Sequence, residues 1–353
     1  MRSVDPGVRI SSRFRALAAA GLDQRSVKVA LLDEIRRLVP FDAYVWVSTD
    51  PESEVGSSPV ADVPFSPWDL PRLIRLKYGT ATNRWTHLVE PASSLAMATG
   101  GNLAESLVWR ELLSDHGVID IAGVVFRDSF GCWGFLDLWR MPPHSPFSEE
   151  EVAILARVAE PLTAALRGAL ASTFDETVRR TDRVGPIVLM LSPDLVVNAQ
   201  TPETPSYLRW LLPDDSVPAP VPAGAYNVAA QLLAREAGVD DHPPWARVHV
   251  SGGPWLTLRA SRIGLSADDV LAAVAVSVEP SAPLERLSLF VRVFGLTPRE
   301  AELVGHLRDG GDTRQVAERM FLGELTVQDH LKSIFRKTGT HSRRELLARG
   351  LGQ

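Results

Sequence analysis

The residues of this 353-residue chain whose types and spacing could do chemistry lie close to its C-terminus. Gln328, Asp329, Lys332, Ser333, Arg336 and Lys337 recur opposite the apolar Val327, Leu331, Ile334 and Phe335, at the spacing of one helix. Such a helix buries its back and offers its front. The front carries the groups that base edges in a DNA major groove require: a carboxylate accepts from cytosine, Gln pairs with adenine, and Lys donates to guanine. Gln328, Asp329 and Lys332 are therefore the candidates for base edges. Thr313, Arg314, Thr326, Arg336 and Lys337 suit phosphate oxygens. From Leu325 to Gln353, six Lys/Arg stand against two acids, a net of +4 in a chain whose formal net charge is −6. A basic end on an acidic protein fits a bulk that repels a polyanion and a tip that binds it.

Several short elements must position those side chains. Thr297-Pro298-Arg299-Glu300 combines an N-cap, a proline at the first helical position and a capping-box glutamate. Ala301, Leu303, Val304 and Leu307 continue it as an apolar stripe, and Gly310-Gly311 ends it. Asp312 or Thr313 caps a second helix that turns Val316, Ala317 and Met320 inward. Phe321-Leu322-Gly323 is a tight connection to the third helix, which Gly339 stops. Ser342-x-x-Glu345 opens a fourth helix. Two short helices across a tight turn, the second with a polar, basic front, form a helix-turn-helix pattern.

The run LTPREAELV…DTRQVAERMFLGELTVQDHLKSIFRKTGTHSRRELL resembles the C-terminal domain of LuxR-type transcriptional regulators. The matching features are Leu296-Thr-Pro-Arg-Glu300, the Val316-Ala-Glu-Arg319 helix, Thr326-Val327 followed by His330, Ile334, Lys337-Thr-Gly339 and Ser342-Arg343. Two positions depart from the family pattern. Gly323 replaces a capping serine, and Gln328 replaces a lysine, which shifts the front from phosphate attraction toward base reading. The resemblance implies double-stranded DNA as partner, a homodimer supported by the fourth helix, and operators made of two half-sites.

Composition bounds the rest. The length suggests two or three domains. A hydrophobic content of 45% and a charged content of 23% are ordinary for a globular protein. Cys132 is the single cysteine, so no internal disulfide or multi-cysteine zinc site is possible. No apolar run is long enough for a membrane helix, and the N-terminus does not read as a secretory signal. A cytoplasmic protein without membrane attachment is expected.

Upstream, two helices are expected over 11–38, a strand over 41–48, a second short strand within 56–67 and a helix over 68–77. Residues 79–103 read as mostly loop, and 103–113 as a helix. Residues 120–126 and 132–140 read as a hairpin, and a long helix runs to about 171. This order resembles a GAF-type sensory domain, which implies a ligand cavity over the sheet and dimerisation through the terminal helix. Residues 172–185 form a polar linker or an extension of that helix. A hairpin over 187–199, helices over 206–212 and 223–237, a Pro/Asp-rich loop over 213–222 and strands over 247–251, 255–261 and 270–278 resemble a PAS-type sensor. The expected fold is therefore multidomain. A GAF-like α+β domain spans 10–171 and a PAS-like α+β domain spans 186–279. A Pro-bearing hinge leads to an all-α, four-helix LuxR-type domain over 285–353.

Other constellations point nowhere. There is no phosphate-binding GxxxxGK[ST] run and no phospho-acceptor set of acids. His242 and His249 have no HExxH or cysteine context, so no metal is expected. His330 reads as a helix-packing or phosphate-adjacent residue. Trp46, Trp133 and Trp139 could line an aromatic ligand pocket, but read first as strand core. Cys132 reads as buried and inert. No nucleophile or acid pair supports catalysis, so neither an enzyme nor a cofactor is expected. The sequence leads to a sequence-specific transcription regulator modulated through its N-terminal part by an unidentified small molecule or a partner. The competing reading is a sensory scaffold whose C-terminal helices mainly dimerise.

Overall fold

The computed structural model describes residues 8–10, 12–13, 16, 24–175, 187–204, 221–250, 253–264 and 273–352. Most of the helix expected over 11–20, the helix expected over 206–212, linker residues 176–185 and most of the loop over 213–222 lie outside the described residues. The chain divides into two compact units, one drawn from residues 1–166 and 179–280, the other from 167–178 and 281–353. The division falls inside the long helix that closes the first sheet.

The first unit holds two five-stranded antiparallel sheets. One comprises β1 (Ala43–Thr49), β2 (Gly56–Asp62), β3 (Ala92–Ser94), β4 (Asp120–Asp128) and β5 (Gly131–Arg140), in the order β2-β1-β5-β4-β3. The other comprises β6 (Ile187–Leu191), β7 (Val197–Gln200), β8 (Trp245–His249), β9 (Trp255–Ile263) and β10 (Ala273–Pro280), in the order β7-β6-β10-β9-β8. Counted from its own first strand, the second sheet repeats the order of the first. In each, the last strand returns to lie beside the first. The α+β architecture expected upstream of the C-terminal helices is thus present twice.

Helices cover these sheets: α1 (Gln24–Leu38), α2 (Leu70–Tyr78), α3 (Leu95–Ala98), α4 (Leu107–Glu111) and α5 (Glu149–Ser172) belong with the first, and α6 (Ala223–Glu236) with the second. Strand β5 is buried from Cys132 to Arg140, which explains its run of apolar residues without polar alternation. Helix α5 starts with Glu149, Glu150 and Glu151 at its positive end, and Glu151 takes a bidentate contact from Arg140, the shorter arm at 2.6 Å. Its inward stripe is Leu155, Val158, Ala159 and Leu162.

Two readings of the sequence are corrected. Residues 92–103, expected as loop, contain β3 and α3. Ala92–Ser94 lacks the β-branched and aromatic residues that mark strands, and becomes one by pairing with Ala122–Val124 of β4. The helix expected over 103–113 is broken. Ser106 leaves the helical region and its hydroxyl accepts from the Trp109 N–H, so α4 starts there, behind a separate 3-10 turn over Leu103–Glu105.

The tryptophans read as strand core are core. Trp46, Trp133 and Trp139 are buried, Trp46 packs on Phe126 at 5.3 Å, and Trp85 stacks on Phe135 at 4.4 Å. Cys132 is fully buried, and burial pushes its thiol up to about 11, which suppresses the thiolate on which reactivity depends.

The two sheets share one hydrophobic core: Val47, Tyr78 and Trp85 belong to the same buried cluster as Val228, Ala229 and Leu258. Helix α6 lies against α2 and β2. Gly56 permits that approach, because a Cβ there would stand 2.7 Å from both Asn227 Nδ2 and Val47 Cγ1. Two buried ionic clusters complete the junction. In one, Arg84 Nε donates to Asp240 Oδ2 at 2.7 Å and Arg84 Nη2 to Gln231 Oε1 at 2.8 Å. Thr86 and His242 also bond Asp240, and the carboxylate, by accepting from His242 Nδ1, raises the imidazole's proton affinity. In the other, Arg247 of β8 meets Asp50 and Glu52, in the turn after β1.

The second unit contains α7 (Pro283–Val293), α8 (Pro298–Arg308), α9 (Thr313–Met320), α10 (Glu324–Thr338) and α11 (Arg343–Leu351). The residues that follow α5 belong to it. Phe174 meets Phe290 edge-on at 5.3 Å, and Asp175 pairs with Arg349 at 2.6 Å. Among the described residues, no helix is long and apolar enough to cross a membrane, and no cluster of His, Cys, Asp or Glu has the makings of a metal site.

Candidate nucleic-acid interface

Helices α8 to α11 take their ends from the residues that sequence chemistry singles out. Thr297 and Glu300 form a reciprocal capping box on α8 with Pro298 behind the cap. Asp312, not Thr313, caps α9 and shares a second box with Gln315. Ser342 caps α11 by accepting from the Glu345 N–H at 3.1 Å. Gly339 ends α10 at φ +65°, a conformation that glycine adopts without steric penalty. Gly323 begins α10 with no side-chain cap, as its identity predicts, so the first-turn N–H groups are left to other acceptors.

Between the caps, Leu303, Val304, Leu307, Val316, Met320, Val327, Leu331, Ile334 and Leu346 are buried. This seam fixes α10 by Val327, Leu331 and Ile334 and leaves the opposite side in solvent. Leu325, Gln328, Asp329, Lys332 and Arg336 are all exposed, at spacings that place them on one face, with Thr326 exposed beside them. Arg314 is exposed on α9. Lys332 Nζ lies 3.0 Å from Asp329 Oδ1, and Arg314 Nε lies 3.1 Å from Glu318 Oε1. Solvent-exposed pairs of this kind are worth about 0–1 kcal/mol, so either cation exchanges its partner for another anion at little cost.

Three of the nine residues marked in the sequence point elsewhere. Lys337 Nζ donates to Glu300 Oε2 at 2.7 Å and to the Gly295 carbonyl at 3.0 Å, tying the end of α10 to the start of α8. Ser333 is half-buried and its hydroxyl bonds the same carboxylate. Burial alone would raise the Glu300 carboxyl, but the hydrogen bonds from Lys337, from the Thr297 N–H and from Ser333 bring it down to about 2. Thr313 is half-buried and accepts from Arg343 Nη2 at 2.6 Å. Helical spacing puts Ser333 and Lys337 beside the exposed face but does not say that a buried glutamate one helix away takes their donors.

Residues 295–349 match the family model described as bacterial regulatory proteins, luxR family. They form a luxR-type domain. The chain is 39% identical over 54 residues to the monoamine regulon transcriptional regulator of Klebsiella aerogenes, covering 15% of this chain and 24% of that protein. It is 40% identical over 57 residues to the probable HTH-type transcriptional regulator GfsR of Streptomyces halstedii, covering 16% and 24%. The chain thus spans about a quarter of the length of these relatives. Among solved structures, Escherichia coli SdiA aligns over 97% of each chain at 10% identity with a TM-score of 0.34. Bacteriophytochrome RpBphP3 from R. palustris aligns over 79% of this chain and 63% of its own at 13% identity, with a TM-score of 0.28. At scores this low neither likeness adds to the fold.

One position of the luxR-type domain is strained. Phe321, in the turn between α9 and α10, holds φ +54° with 94% of its surface exposed. A non-glycine residue in that conformation gives up roughly 1–2 kcal/mol, and an exposed ring offsets little of it. Phe321→Gly should therefore leave the domain as stable or raise its stability by up to about 1 kcal/mol, read as an unchanged or higher Tm. A clear fall in Tm would mean that the ring packs against something.

Proposed function

We propose that this protein is a sequence-specific DNA-binding regulator of transcription, in which α10 lies in the major groove. Gln328, Asp329 and Lys332 meet base edges, and Arg336, Arg314 and Thr326 meet phosphates. The single observation behind this reading is the row of exposed side chains on α10, held outward by a buried seam and three side-chain caps. Thr313, Ser333 and Lys337, bonded within the domain, shape that surface and bear on DNA at second hand. The two upstream α+β modules serve as the sensing part, modulated by a small molecule or a protein partner. The protein acts as a homodimer in the cytoplasm on paired half-sites.

Gel-shift titration of the full chain against fragments of its own promoter region, at about 150 mM salt where nonspecific contacts weaken, tests it. The expected result is a sequence-dependent shift. Lys332→Ala should lower discrimination at one base position by about 1–3 kcal/mol. Arg336→Ala should weaken all sequences alike and reduce the slope of log K against log salt by about 1. Salt-insensitive behaviour with no shift would favour a scaffold whose C-terminal helices only pair with one another.

A further inference from the structure

We infer that Leu325 is a specificity-determining residue, whose side chain contacts the C5-methyl group of a thymine in the major groove. The inference rests on the DNA-binding reading above and names a base that the reading leaves open. Leu325 is 78% exposed, and it is the only exposed leucine among the described residues between 298 and 351. It occupies the second position of α10, in the first turn. Going down the same face come Gln328 and Asp329, then Lys332, then Arg336, so the face runs from apolar through hydrogen-bonding to cationic.

That order matches what a helix meets when it enters a groove by its N-terminal end. The first turn of a recognition helix faces base edges, and the later turns pass the backbone. Cationic residues therefore belong at the C-terminal end of the face, as Arg336 is. The entering end has no positive charge: Glu324, Leu325 and Thr326 are all exposed there. Of this trio only the Thr326 hydroxyl suits a phosphate, and Leu325 offers one nothing. Thymine is the base whose major-groove edge presents an apolar group, and exposed aliphatic side chains read it by contact. A leucine turned into water by the buried Val327, Leu331 and Ile334 seam is already placed to desolvate against such a methyl.

The experiment uses the full chain and an operator located by footprinting. Each thymine of the operator is replaced singly by uracil, which removes the C5-methyl and keeps every hydrogen-bonding group of the edge. The wild-type protein should lose roughly three- to tenfold in affinity at one uracil position per half-site. Leu325→Ala should bind the all-thymine operator more weakly by a similar factor and show no further loss at that position. The exposed site leaves the buried seam untouched, and an unchanged melting curve verifies this. The proposal is overturned if no uracil position weakens the wild type, or if Leu325→Ala remains as sensitive as wild type at the same positions. It is also overturned if Leu325→Ala binds DNA normally but fails to alter transcription in a reconstituted assay, which would assign the side chain to a protein partner. Absence of any sequence-dependent binding by the wild type would reject the DNA-binding reading itself, a distinct outcome.

Discussion

Arg247→Met should lower the unfolding free energy of the two-sheet unit by about 3–5 kcal/mol, seen as a large drop in the urea midpoint. Arg247 Nε donates to Asp50 Oδ2 at 2.6 Å, Nη2 to Oδ1 at 2.9 Å, and the Arg247 backbone N–H to Oδ2 at 3.0 Å. The two side chains are 1% and 0% exposed. Burial would raise the Asp50 carboxyl, but the Arg247 guanidinium and its hydrogen bonds, with the Glu52 N–H, hold it below the usual carboxylate range. Removing the arginine leaves that carboxylate buried without its cation. The charge-free pair Asp50→Asn with Arg247→Met should recover part of the loss, because most of the penalty is the orphaned charge and not the absent attraction. A single variant within about 1 kcal/mol of wild type would refute this account. The sign with pH follows from the depressed carboxyl. The contribution is fully present above about pH 4, the unfolded value, and is lost as pH falls toward and through the lower folded value. Asp240, held down in the same direction by His242, Arg84 and Thr86, adds to the same acid loss.

Lys28→Met should stabilise the protein near pH 6–7 by about 2–4 kcal/mol, with the gain disappearing as pH rises to about 10. Lys28 is 4% exposed on α1. Its Nζ donates to Ser48 Oγ at 2.6 Å and to the Ser58 carbonyl at 3.3 Å, and stands 5.9 Å from the Trp46 ring. Among the described residues no carboxylate pairs with it, so desolvation lowers the amine from 10.5 to about 7. Between those values the unfolded chain binds a proton that the folded chain does not, and stability rises with pH. Below about 7 both states are protonated and the full burial penalty is felt. Methionine fills a similar volume without the charge. Above about 10 the wild type keeps two hydrogen bonds that Met lacks, so the difference closes and reverses. Urea denaturation of both proteins from pH 6 to 10 checks it, and a pH-independent difference would contradict the burial argument.

Much of the luxR-type domain is legible in the sequence because its determinants are local. A capping box needs residues three apart, a C-cap needs one glycine, and an amphipathic helix needs a period of 3.6. Thr297 with Glu300, Gly339, and the Val327, Leu331, Ile334 stripe can all be read within one helix of themselves. The hairpin over β4 and β5 is legible for the same reason.

The tertiary structure decided what depends on residues far apart in the chain. The strand over Ala92–Ser94 exists because β4 offers an edge. Lys337, spaced like a phosphate ligand, is claimed by Glu300, 37 positions earlier. Arg247 finds Asp50 across 197 positions, and Arg84 finds Asp240 across 156. The repeat of one strand order in two sheets with no evident sequence repeat, and their shared core, likewise rest on pairings between distant segments. By itself the sequence determined the caps, the helical seam and the outward face of α10, because short-range geometry specifies them. Folding alone decided which of the charged groups on and around that face remain in solvent, because a buried partner elsewhere in the chain can claim a donor that periodicity had turned outward.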